Sequence, residues 1–207
     1  MKIFAGICNS QTQVPARYFW SILGLHCPHC VVYYRSGHVW DVIRNNRIIN
    51  SFLKSDCDVL AKMDIDQEFP ANYFEKLVPL LDHYDVVGPL IFDRWQINNF
   101  MPLMFEKVDE NLKPLEAMDI SGLTGVVKVP YAHTNLLYKR EVLEAIPPPW
   151  YEAYATEDGL DRKNHVDFTF LDKIHKAGYE IHIDTTTIVG HQAEEIYVYS
   201  NSKTEAG

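Results

Sequence analysis

Two carboxylates one residue apart, Asp64-Ile65-Asp66, close the apolar stretch Asp58 to Met63. An apolar strand there puts both acids at its C-terminal end, where sheets of parallel strands bind their ligands. Isolated acids so placed repel, and one is pushed up in pKa unless a cation resolves the conflict. Hard divalent ions with oxygen ligands and bound phosphates are the natural occupants. An Asp-x-Asp tripeptide also occurs in plain solvated turns, but the strand before it and the helix start at Phe69-Pro70 weigh against that reading. Gly190-His191, Asp167 and Arg44-Asn45 each have an ordinary explanation when taken singly. A histidine packs or sits on the surface, an acid near a helix start serves the helix dipole, and an Arg-Asn pair lines a wet helix face.

Cys27-Pro28-His29-Cys30 has the spacing of a redox pair. A reactive Cys-x-x-Cys sits after a strand at a helix N-terminus, where the dipole lowers the first thiol's pKa. Here Pro15 to Leu25 reads as helix before it and Val31-Val32-Tyr33-Tyr34 as strand after it, the reverse order. With no second Cys-x-x-Cys to complete a zinc site, neither redox nor zinc chemistry is expected; Cys8 and Cys57 read as strand-end residues.

The elements that must position these groups alternate. Lys2 to Cys8 is a strand. Pro15 to Leu25 has Ala16, Phe19, Trp20 and Leu23 at helical spacing. Val39 to Lys54 puts Val42, Ile43, Ile49, Phe52 and Leu53 on one helical face. Asp58 to Met63 is a strand, Pro70 to Leu81 a helix and Asp85 to Leu90 a strand. Such alternation predicts an α/β domain with a mostly parallel central sheet flanked by helices. Phe92 to Pro130 reads as strands and loops over one end of the sheet. Leu136 to Ile146 is a short strand or helix start, and Pro147-Pro148-Pro149-Trp150 a stiff extended turn. Asn164 to Lys176 is a helix stopped at Gly178, Tyr179 to Asp184 a strand, and Ser200 to Gly207 a frayed end.

At 207 residues the chain suits one domain over 1–207, a donor half of about 1–90 and an acceptor half of about 91–199 on the reading below. Apolar residues at 47% and charged ones at 23% exclude disorder and collagen-like sequence. Nineteen basic against 28 acidic residues give a net charge of −9, which argues against whole-molecule attraction to nucleic acid. A local basic rim of Lys128, Lys139 and Arg140 stays open as a nucleic-acid contact. No run approaches a membrane span, and the first ten residues turn polar too soon for a secretory signal. Reduced thiols and a cytoplasmic location are therefore expected.

Together these pieces resemble the GT-A-fold glycosyltransferases, nucleotide-sugar-dependent enzymes with an Asp-x-Asp motif, in a small, stand-alone, family-2-like form. The likeness spans nearly the whole chain. Lys2 to Cys8 resembles the family's first nucleotide-binding strand, Arg44-Asn45-Asn46 its Arg-Asn helix, and Met63-Asp64-Ile65-Asp66 with Phe69-Pro70 its metal motif. Thr134 to Leu143 is similar to the acceptor-side segment and Pro149-Trp150-Tyr151 to the loop after it. Asp167-Phe168-Thr169-Phe170, Ala177-Gly178-Tyr179, Asp184 and Gly190-His191 follow the C-terminal pattern. The chain departs from the family at Val166-Asp167, where Glu-Asp is frequent, and at Tyr131-Ala132-His133, where a Gly-rich turn is common.

The resemblance implies transfer of a sugar from a nucleoside-diphosphate sugar, with UDP the expected nucleotide, to a hydroxyl acceptor, with Mn²⁺ or Mg²⁺ as cofactor. It implies Asp64, Asp66 and His191 as metal ligands. Ile7, Cys8, Asn9, Arg44, Asn45, Asp64 and Ile65 fall on the nucleotide sugar, and His133, Thr134 and Trp150 on the acceptor side. Asp167 is then the base that takes the acceptor proton. A cation held by carboxylates suits the charge that grows on a departing diphosphate, and a neutral His191 suits Mn²⁺ better than Ca²⁺. The acceptor is a glycan, a small molecule or a modified DNA base, since small transferases of this type also occur in viral genomes, where they act in a host cytoplasm. Two alternatives stand beside this reading. One is a nucleotidyltransferase, which Cys8-Asn9-Ser10-Gln11 disfavours for want of glycine and lysine. The other is a non-catalytic nucleotide-sugar-binding module of the same fold.

Overall fold

The computed structural model describes residues 1–9, 14–37, 40–94, 101–108, 111–114, 122, 124–158, 160, 165–193 and 196–198. The expectations for Ser10, Gln11, Val39, Asn164 and the tail from Ser200 lie outside them, as do parts of the 92–130 segment.

One large sheet organises the chain. Strands β1 (Lys2–Cys8), β2 (Cys30–Arg35), β3 (Val59–Asp64), β4 (Gln67–Glu68) and β5 (Val86–Ile91) come from the first half. The second half supplies β6 (Met104–Val108), β7 (Asn111–Pro114), β8 (Val126–Val129), β9 (Tyr131–Ala132), β10 (Leu137–Lys139), β11 (Ile181–Ala193) and β12 (Ile196–Val198). The sheet runs β12-β11-β5-β10-β3-β1-β2, with β4 and β8 also paired to β11, while β7-β6-β9 form a small second sheet. β2, β1, β3, β5 and β11 point the same way, and β10 lies antiparallel between β3 and β5. The mixed α/β architecture, with a mostly parallel sheet flanked by helices, is as expected; the antiparallel insertion is not legible in so short a segment.

Helices cover both faces because strand residues alternate sides. Ile3, Ala5, Val59, Ala61 and Met63 join a core with Tyr18 of α1 (Ala16–Leu23) and Tyr73, Phe74 and Leu77 of α3 (Tyr73–Leu77). Phe4, Leu60 and Tyr138 join the opposite core with Ile48, Ile49 and Phe52 of α2 (Asp41–Leu53). That core also takes Val142 and Leu143 of α4 (Arg140–Glu144) and Phe170 and Ile174 of α5 (Val166–Lys176).

Several boundaries differ from expectation. The 70–81 helix divides into α3 and a 3-10 turn, Val78–Asp82, because Pro79 lacks the N–H a continuous helix needs. The 136–146 segment is both things expected of it, β10 and then α4. The C-terminal strand continues well past Asp184, its register shifting between Asp184 and Ile188; Asp184 anchors the irregularity by accepting from Thr186 and Thr187. Ile43 is exposed and Asn45 buried on α2, so the helix is rotated relative to its apolar pattern. Phe19, Trp20 and Leu23 of α1 also face outward, while Tyr18 faces in. Gly178 ends α5 with φ +91°, the left-handed position glycine fills.

Candidate active site

Asp64 is the last residue of β3, and its strand partner is Cys8, the last residue of β1. Beyond this pair opens a cavity of about 300 Å³ lined by Cys8, Asp41, Arg44, Asn45, Lys62, Asp64, Ile65, Asp66, Arg94, His165, Val166 and Asp167. It lies at the C-terminal ends of parallel strands. Arg44 and Asn45 arrive there because α2 packs directly on β1: a Cβ on Gly6 would stand 2.4 Å from Ile48 Cγ2. Arg44 Nε donates to Cys8 Sγ at 3.3 Å. Burial first of all, and then Asp64, push the Cys8 thiol up to about 11, so it meets a ligand as a neutral group.

The two acids are held by different partners. Asp66 Oδ2 accepts from Arg94 Nη1 at 2.5 Å and lies 3.7 Å from His191 Nε2. Burial alone would raise the Asp66 pKa, but the nearby His191 ring first, and then the charge of Arg94, outweigh it and hold the carboxyl below its usual range. His191 is correspondingly raised, Asp66 overcoming burial. His191 reaches this place because β11 pairs with β4, immediately after the acidic motif, with His191 opposite Gln67. Its Nδ1 lies 2.9 Å from the Phe92 carbonyl, which can only accept, so Nδ1 always carries a proton and Nε2, the nitrogen that gains or loses one, is turned to Asp66.

Asp64 Oδ2 accepts from Asn135 Nδ2 at 2.7 Å, and its Oδ1 is 3.5 Å from Lys62 Nζ. Lys62 is sealed in the protein at 5% exposure. Burial favours its neutral form, but the Asp64 carboxylate leads a set of neighbours that outweigh this and hold the ammonium above the ordinary lysine range. Cations supplied by the chain thus settle the acid–acid conflict, and the raised carboxyl expected of an isolated pair does not arise at Asp66.

Asp167, on the first turn of α5, lines the same cavity. Its Oδ1 accepts from Thr134 Oγ1 at 3.0 Å, and its Oδ2 lies 3.9 Å from His165 Nδ1.

Cys8, Arg44, Asn45, Asp64, Ile65, Asp66 and Asp167 therefore meet in one cavity, with His191 behind Asp66 and Thr134 behind Asp167. Besides His191 and Thr134, which stand behind the lining, four expected residues lie away from it. Ile7 packs in the core beneath α1, its carbonyl accepting from Ser36 N; Asn9 is buried. His133 is buried with Nε2 at 2.9 Å from the Pro89 carbonyl, and burial drives its pKa down to about 4. Trp150 is a correction. Asn46 Oδ1 accepts from the amides of Trp150 and Tyr151, which pins this loop to α2. The Trp150 indole donates to the Leu143 carbonyl and lines a separate hollow with Ile43, Asn46 and Arg47. The proposed basic rim is also corrected. Lys128 pairs with Glu180 and Lys139 with Asp85, and Arg140 donates to the carbonyls of Phe52, Leu53, Ser55 and Cys57. Lys139 faces Val59 at the start of β3, the end of the sheet remote from the cavity.

Asp41, Lys62, Arg94 and His165 line the cavity without having been expected there, and Asn135 was expected only as part of the acceptor-side segment Thr134 to Leu143. Lys62 had a signal: a lone charge inside an apolar strand, two residues before Asp64 and so on the same face. Arg94 had none, and nothing local set Asn135 against Asp64, since both contacts are tertiary.

Among the described residues no three His, Cys, Asp or Glu side chains form a ready-made metal cage. The pair Asp66 and His191 nonetheless fits a divalent cation of the Mg²⁺ or Mn²⁺ kind, which uses one or two carboxylates and completes its shell with substrate phosphates. Neighbouring ligands of an octahedral ion, each about 2.1 Å from it, stand about 3.0 Å apart, so the 3.7 Å between these two atoms has to shorten by less than about 1 Å to share one. The orienting bond from Nδ1 to a carbonyl is the arrangement ligating histidines use.

No protein-family model and no curated protein matches the chain. Among solved structures 91 chains match it. The crystal structure of A197 from STIV superimposes with a TM-score of 0.62 at 15% sequence identity, over 98% of this chain and 95% of that one. That likeness is one of fold. No helix among the described residues is long and apolar enough to cross a membrane.

Proposed function

We propose that the chain has the GT-A fold and is a glycosyltransferase that moves a sugar from a nucleoside-diphosphate sugar, a UDP-sugar first of all, to a hydroxyl acceptor. The observation that carries this reading is the convergence of Asp64, Asp66 and Asp167 on one cavity that also holds Arg44, Lys62 and Arg94. A diphosphate needs cationic groups, and acceptor activation needs a separate carboxylate. Both are present within one 300 Å³ space.

Asp66 and His191, with Asp64 beside them, would hold a Mn²⁺ or Mg²⁺ ion; such an ion, when bound, neutralises charge on a departing diphosphate. Arg94 is drawn to the same charge, and its planar fork suits phosphate oxygens. Asp167 accepts the proton of the attacking hydroxyl, and Thr134 fixes which of its oxygens is turned away from the acceptor. Incubation with Mn²⁺ and a panel of UDP-sugars, followed by measurement of released UDP, tests the reading, because transferases commonly hydrolyse donor slowly. Absence of both UDP release and nucleotide binding across UDP-, GDP- and dTDP-sugars would sink it. Binding without turnover on any acceptor would favour a non-catalytic module.

A further inference from the structure

Thr134 and Asn135 are neighbours in the chain, yet they hold carboxylates carried by different elements, Asp167 of α5 and Asp64 of β3, that line one cavity. Thr134 Oγ1 donates to Asp167 Oδ1 at 3.0 Å, and Asn135 Nδ2 donates to Asp64 Oδ2 at 2.7 Å. Both residues are buried, at 2% and 5% exposure, so water competes little for these bonds. The Asn135 amide has one possible orientation. Lys62 Nζ lies 2.7 Å from Asn135 Oδ1, and an ammonium can only donate. The carbonyl oxygen must therefore face Lys62, and the NH₂ must face Asp64. The backbone is fixed as well: Lys62 N donates to the Leu136 carbonyl at 3.0 Å, and Tyr138 Oη donates to the Thr134 carbonyl at 2.8 Å.

We propose that Thr134 and Asn135 are a pair of positioning residues that set donor-side Asp64 and acceptor-side Asp167 at one fixed separation, with Lys62 locking the amide that makes this possible. The proposal rests on the glycosyltransferase reading above and names the device by which the two half-sites are held together. Its physical need is plain. Group transfer gains from holding both reactants aligned at once, and small misplacements of either side are costly. Residues from two separate loops would let α5 and β3 drift independently, whereas two adjacent residues in the segment just before β10 cannot separate.

The pair predicts two distinguishable failures. Thr134→Val removes the hydroxyl from Asp167 and leaves Asp64 held. Calorimetry with UDP and Mn²⁺ should give near wild-type affinity, while kcat falls by about 10–100-fold, the usual worth of an orienting partner; Thr134→Ser should restore kcat. Asn135→Ala should instead weaken UDP-sugar binding by about 10–100-fold, and Lys62→Met should do the same because the amide loses its lock. Asn135→Asp keeps the shape and the acceptor for Lys62 while removing the donor to Asp64, so it replaces Asn135→Ala if that variant does not fold, as judged by thermal unfolding. Full turnover in Thr134→Val, or wild-type affinity in folded Asn135 variants, would overturn the proposal. Equal losses of kcat and affinity in both, with no rescue by serine, would also overturn it and leave a merely structural role. A wild-type protein that binds none of the nucleotides is a different result: it removes the glycosyltransferase reading, and this inference with it.

Discussion

At the residue scale the site is an arrangement of compensated charges. Asp66 is held ionised by His191 and Arg94, and Asp64 faces a sealed ammonium. Asp66→Asn removes the charge that both cations answer and should abolish Mn²⁺-dependent donor binding with the fold intact. Unchanged donor affinity in that variant, by calorimetry, would refute the metal assignment. Asp167→Asn should leave donor affinity alone and slow transfer by about 10²–10⁴-fold, the range for a positioned general base. A full rate would reduce Asp167 to a first-turn acid of α5. His133 allows a prediction on stability. Its folded pKa of about 4 lies below the ordinary 6.5, so the unfolded state binds the extra proton between those values. Stability is then complete above pH 6.5 and is lost as pH falls toward 4, by about 3 kcal/mol at 1.36 kcal/mol per unit. Urea unfolding of His133→Gln at pH 5 and pH 7 should show that slope reduced; an unaltered slope would mean that other groups set the acid limb.

At the scale of elements, the site depends on where α2 and β10 lie. α2 presents Arg44 and Asn45 because it rests against a strand position without a side chain. A Cβ at Gly6 would meet Ile48 at 2.4 Å and Leu60 at 3.1 Å, and neither fully buried side chain has room to withdraw. Gly6→Ala should therefore destabilise the protein by about 1–3 kcal/mol, the cost of overpacking, and weaken donor binding as α2 shifts. A thermal midpoint and nucleotide affinity both at wild-type levels would contradict this account. β10 contributes through its direction: an antiparallel strand begins where its parallel neighbours end. Leu137 stands opposite Ala61, so the residues just before it, Thr134 and Asn135, fall beside the end of β3. The strands and helices were legible in hydrophobic periodicity. The direction of a three-residue strand was not, since period-2 alternation is identical in both directions.

At the scale of the whole molecule, the two ends of the sheet are chemically distinct. The cavity lies at the C-terminal ends of β1 and β3, whereas Cys30 stands opposite Lys2 at their beginning. The helix-then-strand order expected around Cys27 and Cys30 is the order found, α1 and then β2. Burial raises the Cys27 thiol above its ordinary pKa, the wrong direction for a reactive thiolate. The Cys27→Ser, Cys30→Ser double variant should keep donor binding and turnover within about twofold of wild type, as expected of surface changes remote from the site. A loss confined to catalysis would show that the far end of the sheet communicates with the cavity.

The sequence by itself determined the α/β class, the run of strands and helices, and the placement of Asp64 and Asp66 at a strand end. Each of these follows from local periodicity and from the polarity of one short segment. It also put Asp167 at the start of a helix and His191 after a late strand, although neither fact alone says what the side chain meets, and the structure carries that strand on through His191. The tertiary structure decided that His191 faces Asp66 and Asp167 shares its cavity. It also decided that Trp150 turns away to bond the Leu143 carbonyl, and that Lys62, Asn135 and Arg94 belong to the site. Contacts such as that between Asn135 and Asp64, 71 residues apart, arise from strand order and direction. Those are set by how whole elements bury their apolar faces against one another, and no local pattern encodes them.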